Sequence, residues 1–457
     1  MLFQQVLNDD LGCASYVLAD GGEAIVVDPR WDVDVYLDIA ARERVRIVHV
    51  VDTHDHADHV SGRARLVSLT GAVPHRPARD GDVAEGDLAA GAELAVGAIR
   101  VRAIATPGHR PEHLALAVSD LSRSSEPWLV LSGDSLLVGD LARPDLAVEA
   151  DAGARLLRES LRGLVELGDH VEVWPGHVGG SLCGGPGLSR KTSSTIGFER
   201  RHNQLIESDE NAFVTELLAN VPARPPNVAH IVEINRRGNE GAPTAVAVLE
   251  PDALAAVIGN GATLLDARDA AAYDAAHIAA AINLPASSSA IGTRAGWAIG
   301  VEEDVVVVAE EIATARATTK LLAAVGLTRV VGITVANHEA WRNAGLAVES
   351  AQPWDVATLA GALREKSVEL IDVRDEREWR AGHVAGSQHL PLSLLGNGRD
   401  TQLPGGPRRF VVACAGGGRA AVAASLLRRE RGEQVVRIAG GGIGDLPAYG
   451  IELTAGA

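Results

Sequence analysis

An internal repeat constrains the fold of this sequence more than any other feature. Residues 264–285 (LLDARDAAAYDAAHIAAAINLP) match residues 370–391 (LIDVRDEREWRAGHVAGSQHLP) without a gap, at an offset of 106 residues. Each copy reads as strand, helix, buried strand, helix and short strand, the alternation of a parallel sheet with helical crossovers. The second half of the chain therefore predicts two copies of one α/β domain, at residues 250–350 and 355–457.

The first half alternates short Val/Ile/Leu-rich runs with turn-forming residues, and four of these runs stop at His or Asp. Functional loops in α/β architectures follow strand ends, so residues 1–245 predict a separate domain that carries polar ligands at one rim. Small residues and Pro at 238–251 predict a linker after it. With 457 residues, the chain is long enough for three such domains.

Composition argues against several kinds of partner. A formal net charge of -18 opposes attraction to nucleic acid and to anionic lipid. There is no N-terminal signal pattern and no run of about 18 apolar residues, so we expect a cytoplasmic protein that does not associate with a membrane. The three cysteines, Cys13, Cys183 and Cys414, are far apart and form no C-x-x-C pair. This spacing argues against a disulfide framework and against a zinc knuckle.

A dense group of histidines and carboxylates follows the apolar run VRIVHVV. Imidazoles and carboxylates packed this closely need hydrogen-bond or metal partners once they are partly buried. Three later strand ends add one such group each, and a Gly before each one allows a tight turn. The sequence therefore predicts a metal centre built from His54, His56, Asp58, His59, His109, Asp134 and His177.

These residues resemble the H-x-H-x-D-H signature and the later ligands of the metallo-β-lactamase superfamily, over roughly residues 1–240. The resemblance implies an αββα fold. The predicted fold class is thus α/β, with an N-terminal αββα domain and two further α/β domains. In hydrolytic members such as glyoxalase II, the resemblance implies two metal ions. One would be held by His54, His56 and His109, and the other by Asp58, His59 and His177, with Asp134 bridging.

A narrower resemblance, to the persulfide dioxygenase branch and its bacterial fusions with rhodanese domains, rests on residues 132–146, 174–185 and 193–203. It implies one Fe(II) per chain, held by His54, His109 and Asp134, with open positions for a thiol persulfide and O₂. His56, Asp58, His59 and His177 would then orient the ligands and water. The alternative of two zinc ions stays open, because every ligand of a dinuclear site is present.

The ARPDL segment contains Arg143 and Asp145. We expect this pair to position the substrate or to brace the metal loop; a surface salt bridge is the alternative. Cys183, six residues after His177, is a candidate relay or substrate-proximal thiol, with an inert loop cysteine as the alternative. Cys13 lies in the apolar segment LGCASYVL and is expected to be a strand residue.

Cys414 ends a buried strand, in a Gly-rich loop that opens a helix and contains Arg419. Backbone N-H groups, the positive helix end and the arginine would favour a thiolate there. Residues from about 355 to 455 resemble rhodaneses, which carry sulfane sulfur on the cysteine of this six-residue loop. In the first copy Glu310 or Glu311 takes the sulfur position. That copy is expected to be degenerate, with a packing role and a contact loop at 292–300.

Together these features predict an Fe(II)-dependent persulfide dioxygenase that gives sulfite and free thiol and is coupled to sulfur transfer at Cys414, with thiosulfate as a product of that coupling. The expected role is detoxification of sulfide or persulfide. A dinuclear zinc thioester hydrolase is the second hypothesis, and a non-catalytic sulfur carrier or sensor is the third. A homodimer and a homotetramer both stay open.

Overall fold

The computed structural model describes residues 1–79, 86–219, 221–238, 245–288, 290–396 and 409–456. They form two compact units. The first comprises Met1–Arg224, Val228–Ala242 and Ala324–Gly326, and the second comprises Pro225–Asn227, Pro243–Ala323 and Leu327–Ala457. Residues 239–244 of the predicted linker lie outside the described residues. Across the described ranges, no helix combines the length and the apolar character that crossing a bilayer requires.

The described residues of the first unit form two sheets and six helices. Its strands are β1 (Leu2–Asn8), β2 (Cys13–Asp20), β3 (Glu23–Val27), β4 (Arg46–Val51), β5 (Val73–His75), β6 (Glu93–Val96), β7 (Ile99–Ala105), β8 (Leu114–Asp120), β9 (Leu129–Gly133), β10 (Glu172–Pro175) and β11 (Ser194–Thr195). Its helices are α1 (Asp34–Glu43), α2 (Arg63–Thr70), α3 (Ala150–Val165), α4 (Ile196–His202), α5 (Glu210–Ala219) and α6 (Val228–Arg237). The sheet orders are β1-β2-β3-β4-β5 and β11-β10-β9-β8-β7-β6.

These two sheets pack face to face and bury one apolar layer between them. Side chains from β2 and β3, such as Leu18 and Ile25, meet side chains from β8 such as Leu116. On the outer face of the second sheet, α3 buries Leu157 and Leu161, which lie on one side of the helix because they are four residues apart. Helices α1 and α2 cover the outer face of the first sheet in the same way. The arrangement is the αββα sandwich that the sequence predicts.

The second unit contains the two repeats. Its strands are β12 (Thr263–Asp266), β13 (His277–Ile278), β14 (Ile282–Asn283), β15 (Val305–Ala309), β16 (Val330–Val335), β17 (Val348–Glu349), β18 (Val368–Asp372), β19 (His383–Val384), β20 (Gln388–His389), β21 (Arg409–Ala413), β22 (Val435–Arg437) and β23 (Leu453–Thr454). Its helices are α7 (Pro251–Gly259), α8 (Ala270–Ala275), α9 (Ile291–Ala298), α10 (Ile312–Ala324), α11 (His338–Asn343), α12 (Val356–Glu365), α13 (Glu376–Ala381) and α14 (Gly418–Arg431). Short 3₁₀ helices span Leu392–Leu394, Gly432–Gln434 and Ile443–Tyr449.

Each repeat folds around a four-stranded parallel sheet. The strand orders are β14-β12-β15-β16 in the first repeat and β20-β18-β21-β22 in the second. Two residues common to both copies form the same buried ion pair: Arg268 Nε donates to Asp266 at 2.9 Å, and Arg374 Nε donates to Asp372 at 2.9 Å. The shared DxR motif is therefore a packing feature of both sheets, because a buried arginine needs a carboxylate partner.

The two repeats pack against each other through buried polar contacts. Arg437 Nε in the second repeat donates to Asp274 in the first at 2.8 Å, and the backbone N-H of Asn283 donates to Ser425 Oγ at 2.9 Å. The predicted contact loop at 292–300 is mostly helical, because α9 covers Ile291–Ala298. This helix lies beside the second repeat, where a Cβ atom on Gly396 would come within 2.8 Å of the Trp297 carbonyl oxygen.

Candidate metal centre

Four strands of the first unit deliver the predicted metal ligands to one place. The histidine-rich segment 54–59 follows β4, His109 follows β7, Asp134 follows β9 and His177 follows β10. The backbone must pass very close to these side chains. A Cβ atom on Gly176 would lie 2.6 Å from Asp134 Oδ1, so only glycine fits before His177 without displacing the carboxylate.

His54, His109 and Asp134 converge in the interior of the first unit. His54 Nε2 and His109 Nε2 lie 3.9 Å and 3.4 Å from Asp134 Oδ2. All three side chains are at most 1% exposed. Among the described residues, none offers a hydrogen bond to these three facing atoms.

The remaining polar atom of each of these side chains is held in place. His54 Nδ1 lies 3.0 Å from Thr53 Oγ1, and His109 Nδ1 lies 2.8 Å from the Arg143 carbonyl oxygen. Asp134 Oδ1 accepts a hydrogen bond of 2.7 Å from His177 Nδ1. Buried polar atoms normally have partners, so three that face one another without any fit a metal ion. Two imidazoles and one carboxylate are a donor set that suits iron or zinc.

The electrostatics of the three side chains favour the forms that bind metal. Burial lowers the pKa of His54 and of His109 and so keeps both rings neutral. Burial opposes ionisation of Asp134, but the neighbouring His177 outweighs it and lowers the pKa of this carboxyl. Metal ligands must be neutral imidazoles and ionised carboxylates, and the site provides both.

A second group of donors lies beside the first. His177 Nε2 is 2.9 Å from Asp58 Oδ2, and His59 Nδ1 is 3.1 Å from the same oxygen. Cys13 joins this group, with its Sγ 3.1 Å from Asp58 Oδ2 and 3.6 Å from His59 Nδ1. Burial raises the pKa of the Cys13 thiol well above its usual range. Cys13 begins β2, as expected, but nothing in its sequence spacing indicated this neighbourhood.

His177 bridges two carboxylates. Both of its ring nitrogens are hydrogen-bonded, one to Asp134 and one to Asp58. Burial lowers the pKa of a histidine, yet these two carboxylates and the nearby Cys183 outweigh that effect and raise the pKa of His177 well above its usual value. Carboxylates on both sides favour the protonated ring, which can donate through both nitrogens.

Asp28, which no sequence motif marked as a site residue, orients the histidine-rich segment. This residue follows β3 in the left-handed region, with φ 50°. Its Oδ1 accepts from the Thr53 backbone N-H at 2.7 Å and lies 3.1 Å from His56 Nε2. Burial would lower the pKa of His56, but the Asp28 carboxylate raises it to about 9. The available signal was the position of Asp28 at the end of the run AIVVDP.

His113, also not singled out, supports Asp134. The Asp134 backbone N-H donates to His113 Nε2 at 2.8 Å, and His113 Nδ1 lies 2.7 Å from Thr106 Oγ1. Burial and the neighbouring His109 lower the pKa of His113 to about 3, so the ring is neutral and can accept that hydrogen bond.

Arg143 connects the ligand loop to the segment that carries Cys183. The Arg143 guanidinium binds Asp145 through both side-chain oxygens, at 2.7 and 2.8 Å, and its side chain is 4% exposed. Its carbonyl oxygen holds His109, and its backbone N-H donates to the Cys183 carbonyl oxygen at 2.9 Å. Arg143 is buried against the ligand loop, and Asp145 is partly buried beside it.

Cys183 lies against the same donors. Its sulfur lies within 4.8 Å of ligand atoms of Asp134 and His177. The side chain is 2% exposed, and burial raises the pKa of Cys183 to about 12. The resting form is therefore the thiol, which reacts as a nucleophile far less readily than a thiolate.

The predicted sulfur-carrier loop follows β21 in the second unit. Cys414 is 2% exposed, and the Gly417 backbone N-H donates to its Sγ at 3.1 Å. Arg419 in the same loop donates to Glu378 Oε1 at 2.7 Å and to Asp375 Oδ2 at 3.1 Å. The sequence predicts that the positive charge of Arg419 acts on the sulfur. Burial opposes that charge, but Glu378, Asp375 and Cys414 outweigh burial and raise the pKa of Arg419.

Two protein families match separate regions of this chain. The profile of the metallo-beta-lactamase superfamily matches residues 8–177, and that of the rhodanese-like domain matches residues 250–344 and 355–445. The chain is a metallo-β-lactamase domain followed by two rhodanese-like domains. The predicted fold class is confirmed. Domains of these kinds indicate an enzyme, and the metallo-β-lactamase fold binds metal ions.

Individual proteins show the same likeness. A metallo-beta-lactamase structure from Staphylococcus aureus is 27% identical with a TM-score of 0.66, and the match covers 74% of this chain and 99% of that one. The structure of ETHE1 from Myxococcus xanthus is 28% identical with a TM-score of 0.45, covering 52% and 98%. A hydroxyacylglutathione hydrolase of Anaeromyxobacter dehalogenans is 34% identical over 171 residues, which is 36% of this chain and 60% of that protein.

Proposed function

We propose that the metallo-β-lactamase domain is an Fe(II)-dependent persulfide dioxygenase and that the second rhodanese-like domain transfers sulfur through Cys414. The overall oxidation balances as RSSH + O₂ + H₂O → RSH + SO₃²⁻ + 2H⁺, with the outer sulfur oxidised and O₂ reduced. The observation that carries this proposal is the facing set of unpartnered atoms on His54, His109 and Asp134. Two histidines and one carboxylate on one side of an iron leave positions open for substrate and O₂.

His177 is placed to orient Asp134 beside a single metal ion. In a dinuclear site His177 would bind the second metal and Asp134 would bridge. Beside a single metal ion, His177 would instead keep its hydrogen bonds to Asp134, at 2.7 Å, and to Asp58. We therefore assign Asp58, His59 and His177 to orienting the carboxylate and ordering water beside one iron.

The remaining residues around the proposed iron site orient its ligands and present a neutral thiol to the substrate. Iron, when bound, would bring the persulfide and O₂ together and supply the redox chemistry. The Arg143 carbonyl fixes the ring of His109, and His113 and His177 fix Asp134. Cys183 presents a neutral thiol next to His177, where it can contact the substrate sulfur without competing as an anion.

Sulfur transfer at Cys414 links the two chemistries. The second rhodanese-like domain has Cys414 at the end of β21 with a backbone N-H directed at its sulfur. A persulfide on this cysteine can pass its outer sulfur to sulfite and so form thiosulfate. Two sites in one chain also raise each other's effective concentration. The proposed role is removal of persulfide and sulfide in the cytoplasm, with no nucleic acid or membrane partner.

A dinuclear zinc thioester hydrolase is the second candidate, and specific observations favour it. The curated relative from Anaeromyxobacter dehalogenans is a hydroxyacylglutathione hydrolase. In addition, His56 Nδ1 and His59 Nε2 are buried without hydrogen-bond partners in the described part of the chain. Both atoms are available to ligate metal. This candidate gives no role to Cys414, which is why we place it second.

Metal analysis of anaerobically prepared protein, with O₂ uptake on adding glutathione persulfide, tests the proposal. We expect about one iron per chain and persulfide-dependent uptake, as for a mononuclear iron oxygenase site. Two zinc ions per chain, no uptake and rapid hydrolysis of lactoylglutathione would instead establish the hydrolase. If neither O₂ uptake nor hydrolysis is detected while sulfur is still transferred at Cys414, the protein is a sulfur carrier without catalysis at the metal domain.

A further inference from the structure

An ion pair joins the sulfur-carrier loop to a neighbouring helix of the same domain. Arg419 Nη2 donates to Glu378 Oε1 at 2.7 Å, and Arg419 Nη1 donates to the other oxygen of the same carboxylate. Asp375, the N-cap residue of α13, also accepts from Nη1, at 3.1 Å. Two parallel N-H bonds to one carboxylate fix the orientation of an arginine as well as its distance.

The sheet explains why these residues meet. Strands β18 and β21 are parallel neighbours, and just beyond β18 the Val373 backbone N-H donates to the Ala413 carbonyl oxygen at 3.0 Å. Cys414 follows Ala413 directly, and α13 begins three residues after Val373. Parallel strands deliver the loops that follow them to one edge of the sheet. Glu378 therefore reaches Arg419 from the loop and helix of the adjacent strand.

Glu378 is itself held in place and ionised. Its Oε2 accepts from the Asp375 backbone N-H at 3.1 Å, which fixes the side chain over the first turn of α13. Burial opposes ionisation of Glu378, but Arg419 outweighs burial and lowers the pKa of this carboxyl. Burial would lower the pKa of Arg419, yet Glu378, Asp375 and Cys414 together raise it, so the sulfur interacts with this guanidinium. The carboxylate thus holds the cation that acts on the sulfur.

The two copies of the repeat separate this ion pair from the features that stabilise the fold. The buried Asp-Arg pair of the DxR motif occurs in both copies. At the repeat offset of 106 residues, Glu378 corresponds to Ala272 in the copy whose sulfur position holds a glutamate. The second residue of α14 is Arg419, whereas the second residue of α10 is Ala313. Glu378 and Arg419 therefore accompany the cysteine, although a pair needed only for folding would be expected in both copies.

We propose that Glu378 is a positioning residue for sulfur transfer, which holds the charge of Arg419 at the loop so that Cys414 is kept as a thiolate. The inference rests on the proposed sulfur transfer at Cys414. The thiolate is the nucleophile that takes the outer sulfur from a donor, and a neighbouring arginine favours it. The Gly417 N-H, 3.1 Å from the sulfur, and the N-terminal end of α14 act in the same direction. Without the carboxylate, Arg419 can turn toward solvent, because its side chain is 19% exposed.

Alkylation of the full-length protein by iodoacetamide tests this role without relying on sulfur transfer, because the reagent reacts with the thiolate. Peptide mass spectrometry gives the rate at Cys414 alone. We expect Glu378→Gln to slow this rate about tenfold near neutral pH, the loss of one charge-assisted contact, and to move the pH profile upward. Arg419→Gln should act similarly. Glu376→Gln, on the same helix, is the matched control: Glu376 accepts from the exposed Arg380 at 2.8 Å, and its variant should behave as wild type.

The sign of the change distinguishes positioning from other roles. If Glu378 only offset the charge of Arg419, its removal would speed alkylation, and a loosened fold would do the same because Cys414 is 2% exposed. A double-mutant cycle adds a second criterion: with Arg419→Gln present, Glu378→Gln should change the rate by less than about twofold. Faster or unchanged alkylation in Glu378→Gln, an equal change in Glu376→Gln, or a further slowing of about tenfold in the double variant would overturn the assignment.

Sulfur transfer from thiosulfate to cyanide separates this inference from the proposed function. In the assay CysS⁻ + S₂O₃²⁻ gives CysSS⁻ + SO₃²⁻, and CysSS⁻ + CN⁻ then gives CysS⁻ + SCN⁻. We expect Glu378→Gln to lower kcat/KM for thiosulfate by about tenfold, in step with alkylation. If wild type transfers sulfur no faster than Cys414→Ser while alkylation follows the expected pattern, the sulfur-transfer function fails, and the positioning of Arg419 by Glu378 stands without it.

Discussion

At the residue scale, the metal centre depends on atoms that the packing leaves without partners. His54, His109 and Asp134 each have one polar atom fixed by the protein and one directed at the other two side chains. Burying three such atoms without a ligand would be costly, because each loses its hydrogen bonds to water. The geometry is therefore suited to hold a metal ion, and a small displacement of Asp134 should lower the metal affinity.

Gly176→Ala should displace Asp134. The new methyl group would lie 2.6 Å from Asp134 Oδ1 and 3.1 Å from the Gly133 carbonyl carbon. We expect metal affinity to fall by about 10- to 100-fold, the usual effect of disturbing groups that orient a ligand. Titration of the metal-free protein with Fe(II) under anaerobic conditions measures it. Gly163→Ala, in α3 with open space around it, is the control and should leave affinity unchanged. Unaltered affinity in Gly176→Ala would contradict the assignment.

At the element scale, the repeats are stabilised by features that the sequence shows only in part. The shared Asp and Arg form the same buried pair in both copies. His277 and His383 also repeat one arrangement, each stacked on an aromatic ring, Tyr273 or Trp379, at 3.8 and 3.9 Å. Contacts between the copies follow no repeat, because each surface faces a different neighbour.

Asp274→Asn should destabilise the second unit. Asp274 is the carboxylate partner of the buried Arg437 and lies 3.7 Å from Arg428. Removing its charge leaves buried arginine charge uncompensated, at a cost of about 3 kcal/mol in the free energy of unfolding. Chemical denaturation followed by circular dichroism measures it. Asp304→Asn, which breaks an exposed pair with Arg329, should cost less than about 1 kcal/mol. Equal effects of the two variants would refute the interface role.

His277 should make the first rhodanese-like domain sensitive to acid. Burial lowers the pKa of His277 in the folded state, so the unfolded chain binds a proton there more readily. Stability should therefore fall as the pH drops below about 6.5, the ordinary histidine value. His277→Gln removes this contribution and should flatten the decline, whereas a substitution at the exposed His170 should not. Denaturation midpoints measured at pH values from about 7.5 down to about 5 test this prediction.

At the scale of the whole molecule, two kinds of site occur in one chain. The metal centre lies within the first compact unit, and the Cys414 loop lies within the second. Within each unit the side chains that form the site come from distant parts of the sequence. The proposed product of one site, sulfite, is the proposed acceptor at the other. Because the residues of the two sites lie in different units, a substitution can disable one site and leave the residues of the other unchanged.

Cys414→Ser should abolish sulfur transfer and leave persulfide-dependent O₂ uptake close to wild type, because Cys414 is outside the unit that holds the metal ligands. The reciprocal condition is chelation of the metal, which should abolish O₂ uptake and leave transfer from thiosulfate to cyanide intact. An O₂ electrode and a thiocyanate assay measure the two. Loss of both activities in Cys414→Ser would show that the sites do not function separately.

The sequence by itself determined the fold class, and it predicted seven residues of the metal centre. The signals used were local or periodic: the strand patterns, the Gly before three ligands and the repeat at an offset of 106 residues. Each can be recognised in the sequence without knowing which residues are in contact. It also showed that Glu310 or Glu311 replaces the sulfur-carrying cysteine in the first copy, a difference visible residue by residue.

Only the tertiary structure decided which atoms meet. It paired His177 with two carboxylates, brought Cys13 and Asp28 to the metal centre and paired Arg419 with Glu378. Such contacts join residues far apart in the chain, and hydrogen-bond partners and charge balance depend on separations of a few ångströms. No periodicity or spacing encodes those separations, because they arise when sheets and domains pack.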